Sequence, residues 1–390
     1  MDKTIANPSE DSVNQTNGDS VLLPTRRFAY IDLIEALAIS FVIIYHVGMY
    51  PKNILSDSSL LAYFNYWLTG LLSVCVPVFF FANGFLLFGK PFNLERHIKK
   101  IVLIIAVLFF WRFAIPLVLI PATNQEFTLI EFLHIAWDFK IGWNNQLWFL
   151  ETLICLYIVF PLLKLAFDNS RKVFLFFLTV CAICTFGNTI LDELATVARA
   201  CLTDNTGLVG FNFFGGINLF TGIKGYAFVY FCAGGLVHEK LDLIEKIPAT
   251  KRLVVSIATI AISMTLLTLW GGYASFLSGK LWDNVYSAYD TIFTFAMTLS
   301  LFAICLSYKG KHRAINKIVM TISKNTLGIF ILHYPVKVIF RLACPQLFAT
   351  GTIFCTLPGS LICSHHIGNF TCTYASLEEN PSYKKASINY

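Results

Sequence analysis

Charged residues are scarce in this sequence. Only 13% of its 390 residues are Asp, Glu, Lys or Arg, whereas 56% are hydrophobic. A soluble domain carries about 25% charged residues, because its surface has to be hydrated. The shortage therefore excludes a soluble enzyme and a disordered chain. The sequence also lacks a G-x-x-x-x-G-K-[ST] loop and any obvious internal repeat, which disfavours an ATP-driven pump and a transporter built from repeats.

Cysteine pairs at metal-binding spacing are also few. The chain has 11 cysteines, but most of those before residue 310 lie within long apolar runs. Cys181 and Cys184 form a C-x-x-C pair with no second pair at the spacing of a zinc site. We therefore predict neither a disulfide scaffold, nor a metal site, nor a bound cofactor. The net charge of +6 is best interpreted through the positions of the cations along the chain, and it does not indicate a nucleic-acid partner.

Long apolar runs are abundant, and about 20 such residues span the hydrocarbon core of a bilayer. The sequence predicts an all-α, polytopic integral membrane protein with about ten transmembrane helices. Residues 1–25 are polar and are predicted to be a disordered cytoplasmic lead, residues 26–364 a transmembrane domain, and residues 365–390 a polar C-terminal tail. The predicted spans are 29–50, 60–89, 101–121, 147–167, 173–190, 223–238, 253–273, 288–308, 322–343 and, interrupted by Pro358 and Gly359, 347–364.

The cations between these spans alternate in number along the chain. Counted from Arg26 onward and with the ends of the adjoining spans included, alternate loops, beginning with the one before the first span, hold 18 Lys and Arg residues, whereas the remaining loops hold five. Cytoplasmic loops of membrane proteins are enriched in Lys and Arg. The distribution therefore predicts a cytoplasmic N-terminus, and ten spans would return the C-terminus to the same side.

The first span carries three ionisable residues, Asp32, Glu35 and His46. Ionisable side chains at membrane depth are costly and more often mark sites or ion pathways than simple packing. Glu35 and His46 are 11 residues apart, close to three helical turns, which places them on one face about 16 Å apart. His46 is accordingly a candidate for function, and a structural histidine that bonds a neighbouring carbonyl is the competing interpretation.

Later spans add Arg112, Glu151 and His333. A guanidinium at mid-helix requires a carboxylate, a phosphate or water. A buried Arg112–Glu151 ion pair and a direct catalytic role for both residues are equally open interpretations. For His333 a structural role is favoured. In the second span, Pro77 should kink the helix and Asn83 can form a hydrogen bond across it.

Five blocks of sequence occur in an order that resembles a known family. Tyr30, Asp32 and His46 resemble its Tyr-x-Asp opening with a histidine fourteen residues after the aspartate. The blocks VPVFFFANGFLL, LWFLETLICLYIVFP, YAFVYFCAGGLV and ISKNTLGIFILHYPV follow in order. Together they resemble the membrane acyltransferase-3 family, the O-acetyltransferases that modify bacterial surface polysaccharides, over about residues 26–340.

The resemblance implies transfer of an acyl group, with acetyl as the first choice, from cytoplasmic acyl-CoA as co-substrate. The acceptor would be a hydroxyl of a cell-surface glycan or a lipid-linked sugar at the outer face of a bacterial plasma membrane. His46 would act as general base, or would carry the acyl group itself. Arg112 or Asn83 would stabilise the oxyanion, while Glu151 would hold Arg112 or orient His46.

The phosphates of CoA require cations at the cytoplasmic mouth. Arg96, Lys99 and Lys100 lie at the start of the third span, and Arg27 precedes the first. The same four cations could instead only orient the helices. Asp32 would pair with one of them or steady the first helix.

The chain departs from the family pattern at two places. The family usually has Arg or Lys eleven residues before the histidine, where it is implied in handling the acyl donor, and this chain has Glu35 there. The C-terminal sequence from Thr356 onward also differs from the clean tenth helix and basic tail of the family. An inactive member of the family therefore stays open as an alternative. A transporter of polysaccharide or small solutes is another, because proton-coupled carriers also place ionisable residues within the membrane.

Overall fold

A computed structural model describes residues 27–47, 53–123, 128–138, 143–203, 207–210, 212–219 and 224–343. Within these ranges the chain is helical and contains no strand. The predicted lead, the tenth span and the C-terminal tail lie outside the described residues. The helices are α1 Ala29–Val47, α2 Leu60–Thr69, α3 Cys75–Phe88, α4 Leu94–Thr123, α5 Leu129–Asp138, α6 Trp148–Asn169, α7 Arg171–Ala182, α8 Asn188–Thr203, α9 Gly225–Glu239, α10 Leu241–Glu245, α11 Ala249–Ser278, α12 Ile292–Cys305, α13 Arg313–Lys324 and α14 Thr326–Ala343.

Seven helical stretches of the described chain are long and apolar enough to cross a membrane. This confirms the predicted class, an all-α polytopic membrane protein. The seven stretches are Ala29–Val47, Leu60–Phe88, Leu94–Thr123, Asn145–Asn169, Arg171–Thr203, Ala249–Ser278 and Thr326–Ala343.

The first nine predicted spans all fall on helices, but two of these helices are short. Helix α12 has 14 residues and α9 has 15. In α9 every residue from Gly225 to Gly235 is buried, so this helix lies inside the bundle and has little surface for lipid. Three further helices, α5, α10 and α13, were not predicted from the apolar runs.

Glycines allow α3 and α9 to approach each other closely at the centre of the bundle. A Cβ atom on Gly84 would collide with the backbone carbonyl of Phe231, and one on Gly234 would collide with that of Phe81. Small residues permit such close contacts between membrane helices, where dispersion forces replace the hydrophobic effect. Phenylalanines fill the space around the contact, for example Phe88, whose ring centroid lies 5.5 Å from that of Phe231. These glycines and the buried phenylalanines around them are therefore complementary parts of one core.

Helix boundaries follow from local chemistry at several places. The side chains of Ser59 and Thr291 cap α2 and α12 by accepting hydrogen bonds from Ala62 N and Thr294 N, each at 3.2 Å. Helix α11 ends before Gly279, whose φ of +65° suits a residue without a Cβ. Pro77 lies in the first turn of α3, where the helix takes over from a 3-10 segment, Gly70–Val74. The departure from α-helical geometry near Pro77, which was predicted as a kink, is therefore the 3-10 segment on its N-terminal side.

Helix α1 has two ends that organise the site. At the N-terminal end, here called the Arg27 end, the ring of Phe28 packs against Phe85 near the end of α3, with 5.9 Å between centroids. At the C-terminal end, the His46 end, the Tyr45 hydroxyl donates a hydrogen bond to the carboxylate of Asp283, in the segment between α11 and α12. Helices α13 and α14 pack along α1 between these ends.

Candidate active site

Helices α1 and α14 run side by side in the same direction, and polar side chains meet at two levels. At the lower level, the Ser323 hydroxyl at the end of α13 lies 2.7 Å from a carboxylate oxygen of Glu35. At the upper level, the imidazoles of His46 and His333 have centroids 5.0 Å apart. The two contacts are separated by 11 residues on α1 and by 10 residues on the other chain segment. The predicted common face of Glu35 and His46 is therefore the face that packs on α13 and α14.

A hydrogen bond of His333 determines which of its two ring nitrogens carries the proton. Its Nδ1 lies 2.6 Å from the carbonyl oxygen of Phe330. A carbonyl can only accept, so Nδ1 carries the proton, and Nε2 of the neutral ring is a hydrogen-bond acceptor. Nε2 is buried and has no hydrogen-bond partner among the described residues. The histidine assigned a structural role from the sequence thus also presents a basic nitrogen beside His46.

Lys337 is a cation that the sequence analysis did not single out. It lies one helical turn beyond His333 on α14, so both side chains are on the same face. It is near enough to His46 and to His333 to interact with them electrostatically. The signal in the sequence is the His-x-x-x-Lys spacing around Pro335, which is weak by itself.

Arg112 and Glu151 form an ion pair between α4 and α6. Arg112 is buried, and its guanidinium carbon also lies 5.0 Å from the ring centroid of Trp137 on α5. The Asn144 side-chain amide donates a 3.1 Å hydrogen bond to the Arg112 carbonyl. Of the open interpretations, the ion pair is the one that the structure contains. Because a paired guanidinium keeps further N–H groups, the pair leaves an electrophilic role for Arg112 open.

Gln146, which lies just before α6, forms a hydrogen bond to the helix that carries His333. The Gln146 side-chain nitrogen donates a 3.1 Å hydrogen bond to the carbonyl of Ile331, two residues before His333. Among the described residues, no recorded contact links Glu151 directly to His46. Two roles were proposed for Glu151, holding Arg112 and orienting His46, and the observed contact supports the first.

At the Arg27 end, two carboxylates are held by one serine and one arginine. The Arg27 guanidinium donates to both oxygens of Asp32, at 2.6 and 2.8 Å, and this hydrogen bonding raises the pKa of Arg27. Ser323 lies 2.8 Å from Asp32 and 2.7 Å from Glu35. The predicted pairing of Asp32 with a nearby cation is therefore present, and Arg27 is that cation. A positive charge lies beside Glu35 even though position 35 itself is acidic.

The three cations at the start of α4 have different surroundings. Arg96 is exposed, and Lys99 is exposed and forms a 2.6 Å ion pair with Glu95. The ammonium group of Lys100 lies 4.8 Å from the centroid of the Tyr157 ring. An exposed ion pair contributes little to stability, so Lys99 can exchange Glu95 for a ligand. The three cations therefore form a basic surface near the Arg27 end.

Asn83 links α3 to α6. Its side-chain oxygen accepts a 2.7 Å hydrogen bond from the Tyr157 hydroxyl, and its amide nitrogen donates at 2.8 Å to the Phe79 carbonyl. The amide has a second N–H, so a further donor role is chemically available. His97 connects α4 to the same residue of α6, because its Nε2 lies 2.7 Å from the Tyr157 carbonyl oxygen.

These features define a membrane-embedded helical bundle with a histidine pair at one end, of which His333 is buried and His46 partly buried, and a basic surface near the other. A family model described as an acyltransferase domain, acyltransferase-3, matches residues 28–365. The chain belongs to this family of membrane acyltransferases. Comparisons with curated proteins and with solved structures found no match.

Proposed function

We propose that this protein transfers an acyl group, acetyl first of all, from cytoplasmic acyl-CoA to a hydroxyl of a cell-surface polysaccharide or its lipid-linked precursor. The observation that carries the proposal is the contact between the His46 and His333 rings within the fold of a membrane acyltransferase. The alternation of Lys and Arg between loops supports a cytoplasmic Arg27 end and an outer His46 end. The membrane would then be a bacterial plasma membrane.

His46 is the proposed general base. A sugar hydroxyl is a poor nucleophile near neutral pH, so a positioned imidazole has to take its proton as the oxygen attacks the thioester carbonyl. When the tetrahedral intermediate collapses, the carbon–sulfur bond breaks and the imidazolium returns the proton to the CoA thiolate. His333 positions His46 through its buried ring. Transfer through an acyl-His46 intermediate is the second route, and it uses the same residue as nucleophile.

The oxyanion needs a donor that is already in place. Arg112 is the first candidate, because Glu151 holds its guanidinium in a fixed position. Asn83 is the second, through the amide N–H that does not bond Phe79. Asp32 is assigned to the lower level of α1, where it orients Arg27.

The donor is proposed to bind by its phosphates at the Arg27 end. Arg96, Lys99 and Lys100 supply cations there, and Arg27 supplies one beside Glu35. CoA carries its phosphates and its thioester at opposite ends of a long pantetheine arm. One donor molecule can therefore reach the basic surface and the histidine pair together.

Glu35 supports a second candidate, a family member that has lost the reaction. The acidic side chain stands where the resemblance implies a cation, and it lies within one hydrogen-bonded cluster with Asp32 and Ser323. Arg27 offsets part of this negative charge but is already paired with Asp32. The two candidates make opposite predictions for acyl-CoA turnover.

The experiment that tests the proposal is release of CoA thiol from acetyl-CoA by the purified protein, with and without surface glycan, beside His46→Ala. Turnover that disappears in His46→Ala would establish the acyltransferase. Donor binding without turnover, even when glycan is supplied, would favour the inactive member. Accumulation of solute in vesicles without release of CoA would favour the transporter.

A further inference from the structure

A cavity of about 390 Å³ opens at the His46 end, outside the histidine pair. It lies between the wide helical turn Ile183–Gly187, the start of α9 and the segment that precedes α12. Its volume is in the lower part of the range of about 300–1,000 Å³ for small-molecule sites. A turn of this π type interrupts a helix rarely and is frequent at functional sites.

Two buried hydroxyl groups in the cavity wall have no hydrogen-bond partner within the part of the chain that the structure describes. The side chains of Tyr226 and Thr185 are 8% and 7% exposed, and neither hydroxyl has a hydrogen-bond partner among the described residues. A buried polar group without a partner is destabilising, and in a native protein it needs an explanation. A bound ligand with hydroxyl groups would provide the missing partners.

The rest of the lining is rich in groups that both donate and accept hydrogen bonds. Asn188, Asn212 and Asn218 contribute side-chain amides. Tyr226, at the start of α9, has its ring centroid 5.6 Å from that of Tyr289. Amides and hydroxyls can bond the hydroxyl groups of a sugar, while tyrosine rings pack against its C–H faces.

The charge of the lining argues against a polyphosphate ligand. The charged side chains that line the cavity are Lys224 and Asp290, one of each sign. Lys224 is also held by an aromatic residue, since its ammonium group donates to the Tyr286 hydroxyl at 3.3 Å. A site for the phosphates of CoA would need an excess of cations, as at the start of α4. The balance favours an uncharged ligand.

The backbone around α9 is adapted to the shape of the cavity. Lys224 has a φ of +63°, in the left-handed region of backbone conformation that residues other than Gly and Asn seldom adopt. A Cβ on Gly225 would come within 2.9 Å of the Thr185 hydroxyl and 3.0 Å of the Asn218 amide. Unusual backbone conformations concentrate at ligand sites, where the surrounding structure holds them in place.

We propose that this cavity binds an uncharged, polyhydroxylated sugar ring of the acyl acceptor. The proposal rests on the acyltransferase function above and deepens it by assigning the acceptor to residues outside the histidine pair. The sugar would bond the hydroxyls of Tyr226 and Thr185 and the amides around them.

A short chain of contacts connects the cavity to His46. Tyr45 precedes His46, and its hydroxyl donates to the carboxylate of Asp283. The same carboxylate accepts hydrogen bonds from the backbone N–H groups of Val285 at 2.9 Å and Tyr286 at 3.2 Å. Tyr286 lines the cavity. A ligand held there would therefore lie against a segment that is bonded directly to the neighbour of the proposed base.

The test is photoaffinity labelling of the purified full-length protein with a diazirine-bearing N-acetylglucosaminide, with methyl glycosides of glucose, galactose and mannose as competitors. Peptide mass spectrometry locates the adducts. We expect labelling of residues 212–218 and 286–290, and competition by at least one glycoside at high millimolar concentration. Adducts only elsewhere, or no competition by any glycoside or by unlabelled N-acetylglucosaminide, would overturn the proposal.

Two matched variants separate ligand binding from folding. Tyr226→Phe removes the unpartnered hydroxyl in the cavity and should weaken labelling by roughly three- to tenfold, as expected for loss of one hydrogen bond between neutral groups. Tyr308→Phe removes another buried hydroxyl that lacks a partner among the described residues, but it lies between α12 and α13, at the other end of the bundle. Equal labelling of wild type and both variants, or equal loss in both, would contradict the assignment.

Two further measurements keep the failure of this inference distinct from failure of the acyltransferase function. His46→Ala should abolish acyl transfer and retain the cavity adducts, because the two sites use different residues. Excess CoA should leave the adducts unchanged, and displacement by CoA would reassign the cavity to the donor. If wild type forms the adducts but never releases CoA, the sugar site stands and the acyltransferase function fails.

Discussion

The imidazole rings of His46 and His333 lie 5.0 Å apart, centroid to centroid, on two parallel helices. Nδ1 of His333 donates a hydrogen bond to the Phe330 carbonyl. Nε2 of the same ring is buried and has no hydrogen-bond partner among the described residues. We propose unequal roles for the two histidines, with His46 acting on substrate and His333 positioning it.

The first prediction concerns the unequal roles of the two histidines. His46→Ala should lower kcat by about 10²–10⁴-fold, the usual contribution of a general base. His333→Ala should lower kcat less and shift the pH profile of kcat, because the neighbouring ring sets the environment of His46. His333→Gln, which retains a hydrogen-bonding side chain, should recover part of the rate.

Steady-state release of CoA thiol across pH measures these effects. His312→Ala, an exposed histidine before α13, is the matched control and should leave the profile unchanged. An unshifted profile in His333→Ala, with normal kcat, would remove His333 from the mechanism.

The second prediction concerns the Arg112–Glu151 pair. Glu151→Gln should destabilise the protein by about 3 kcal/mol, because loss of one partner leaves a buried charge uncompensated. The double variant Arg112→Met, Glu151→Leu should be more stable than the single variant, since no charge then stays buried. Thermal unfolding in detergent measures both.

Activity of the stable double variant then separates the two roles of the pair. If Arg112 stabilises the oxyanion, the double variant should fold but lose about 10²–10³ in kcat. Normal turnover would restrict the pair to a structural role.

The third prediction concerns Glu35. Glu35→Lys replaces a carboxylate by a cation beside Asp32 and Ser323 and should lower the KM for acetyl-CoA by about tenfold, the effect of one charge-assisted hydrogen bond. Glu95→Lys makes the same change of charge at an exposed position of α4 and serves as the control. Equal effects of the two variants would indicate only a general gain of positive charge, and no effect of either would leave donor binding to Arg27 and the α4 cations.

The fourth prediction concerns the contact between α3 and α9. Gly84→Ala should prevent correct assembly, because the added methyl group would collide with the backbone of Phe231, which cannot move independently of its helix. Gly328→Ala is the matched control, since no atom lies within 4 Å of a Cβ placed there. The yield of monodisperse protein in detergent measures the outcome, and a normal yield of Gly84→Ala would show that the two helices can separate at little cost.

The fifth prediction concerns the hydrogen bond between Tyr157 and Asn83. Tyr157→Phe leaves the Asn83 oxygen without its partner and should lower stability by about 1–3 kcal/mol. A double-mutant cycle with Asn83→Leu should give a coupling of about 0.6–1.7 kcal/mol, the range for hydrogen bonds between membrane helices. Additive effects of the two substitutions would contradict a direct interaction.

Much of the bundle was predictable because a membrane span is a local property of sequence. The 11-residue spacing of Glu35 and His46 correctly placed both on one face, and that face contacts Ser323 and His333. The partner helix was not predictable, since periodicity shows which side of a helix is polar but not which helix packs on it. His333 was therefore assigned mainly to structure.

Helix α13 and the cavity at the start of α9 were not predicted, because neither contains the long apolar run on which span prediction depends. Helix α13 is amphipathic, with Val319 and Ser323 as its buried residues, and its mean hydropathy is too low for a span. The cavity at the start of α9 is built from turns around Asn212 and Asn218, which follow no helical or strand period. Its ligand chemistry could be recognised only when the structure brought these turns beside Tyr226.

Helices α1 and α14 are fastened at two levels, by Ser323 at the lower and His333 at the upper. A slide of one helix along the other would therefore disturb both levels at the same time, and neither can adjust alone. The two helices would therefore shift together. If the donor binds at the Arg27 end as proposed, a movement that it causes among Arg27, Asp32 and Glu35 would be passed along α1 to His46, so that binding on one face of the membrane would affect the other.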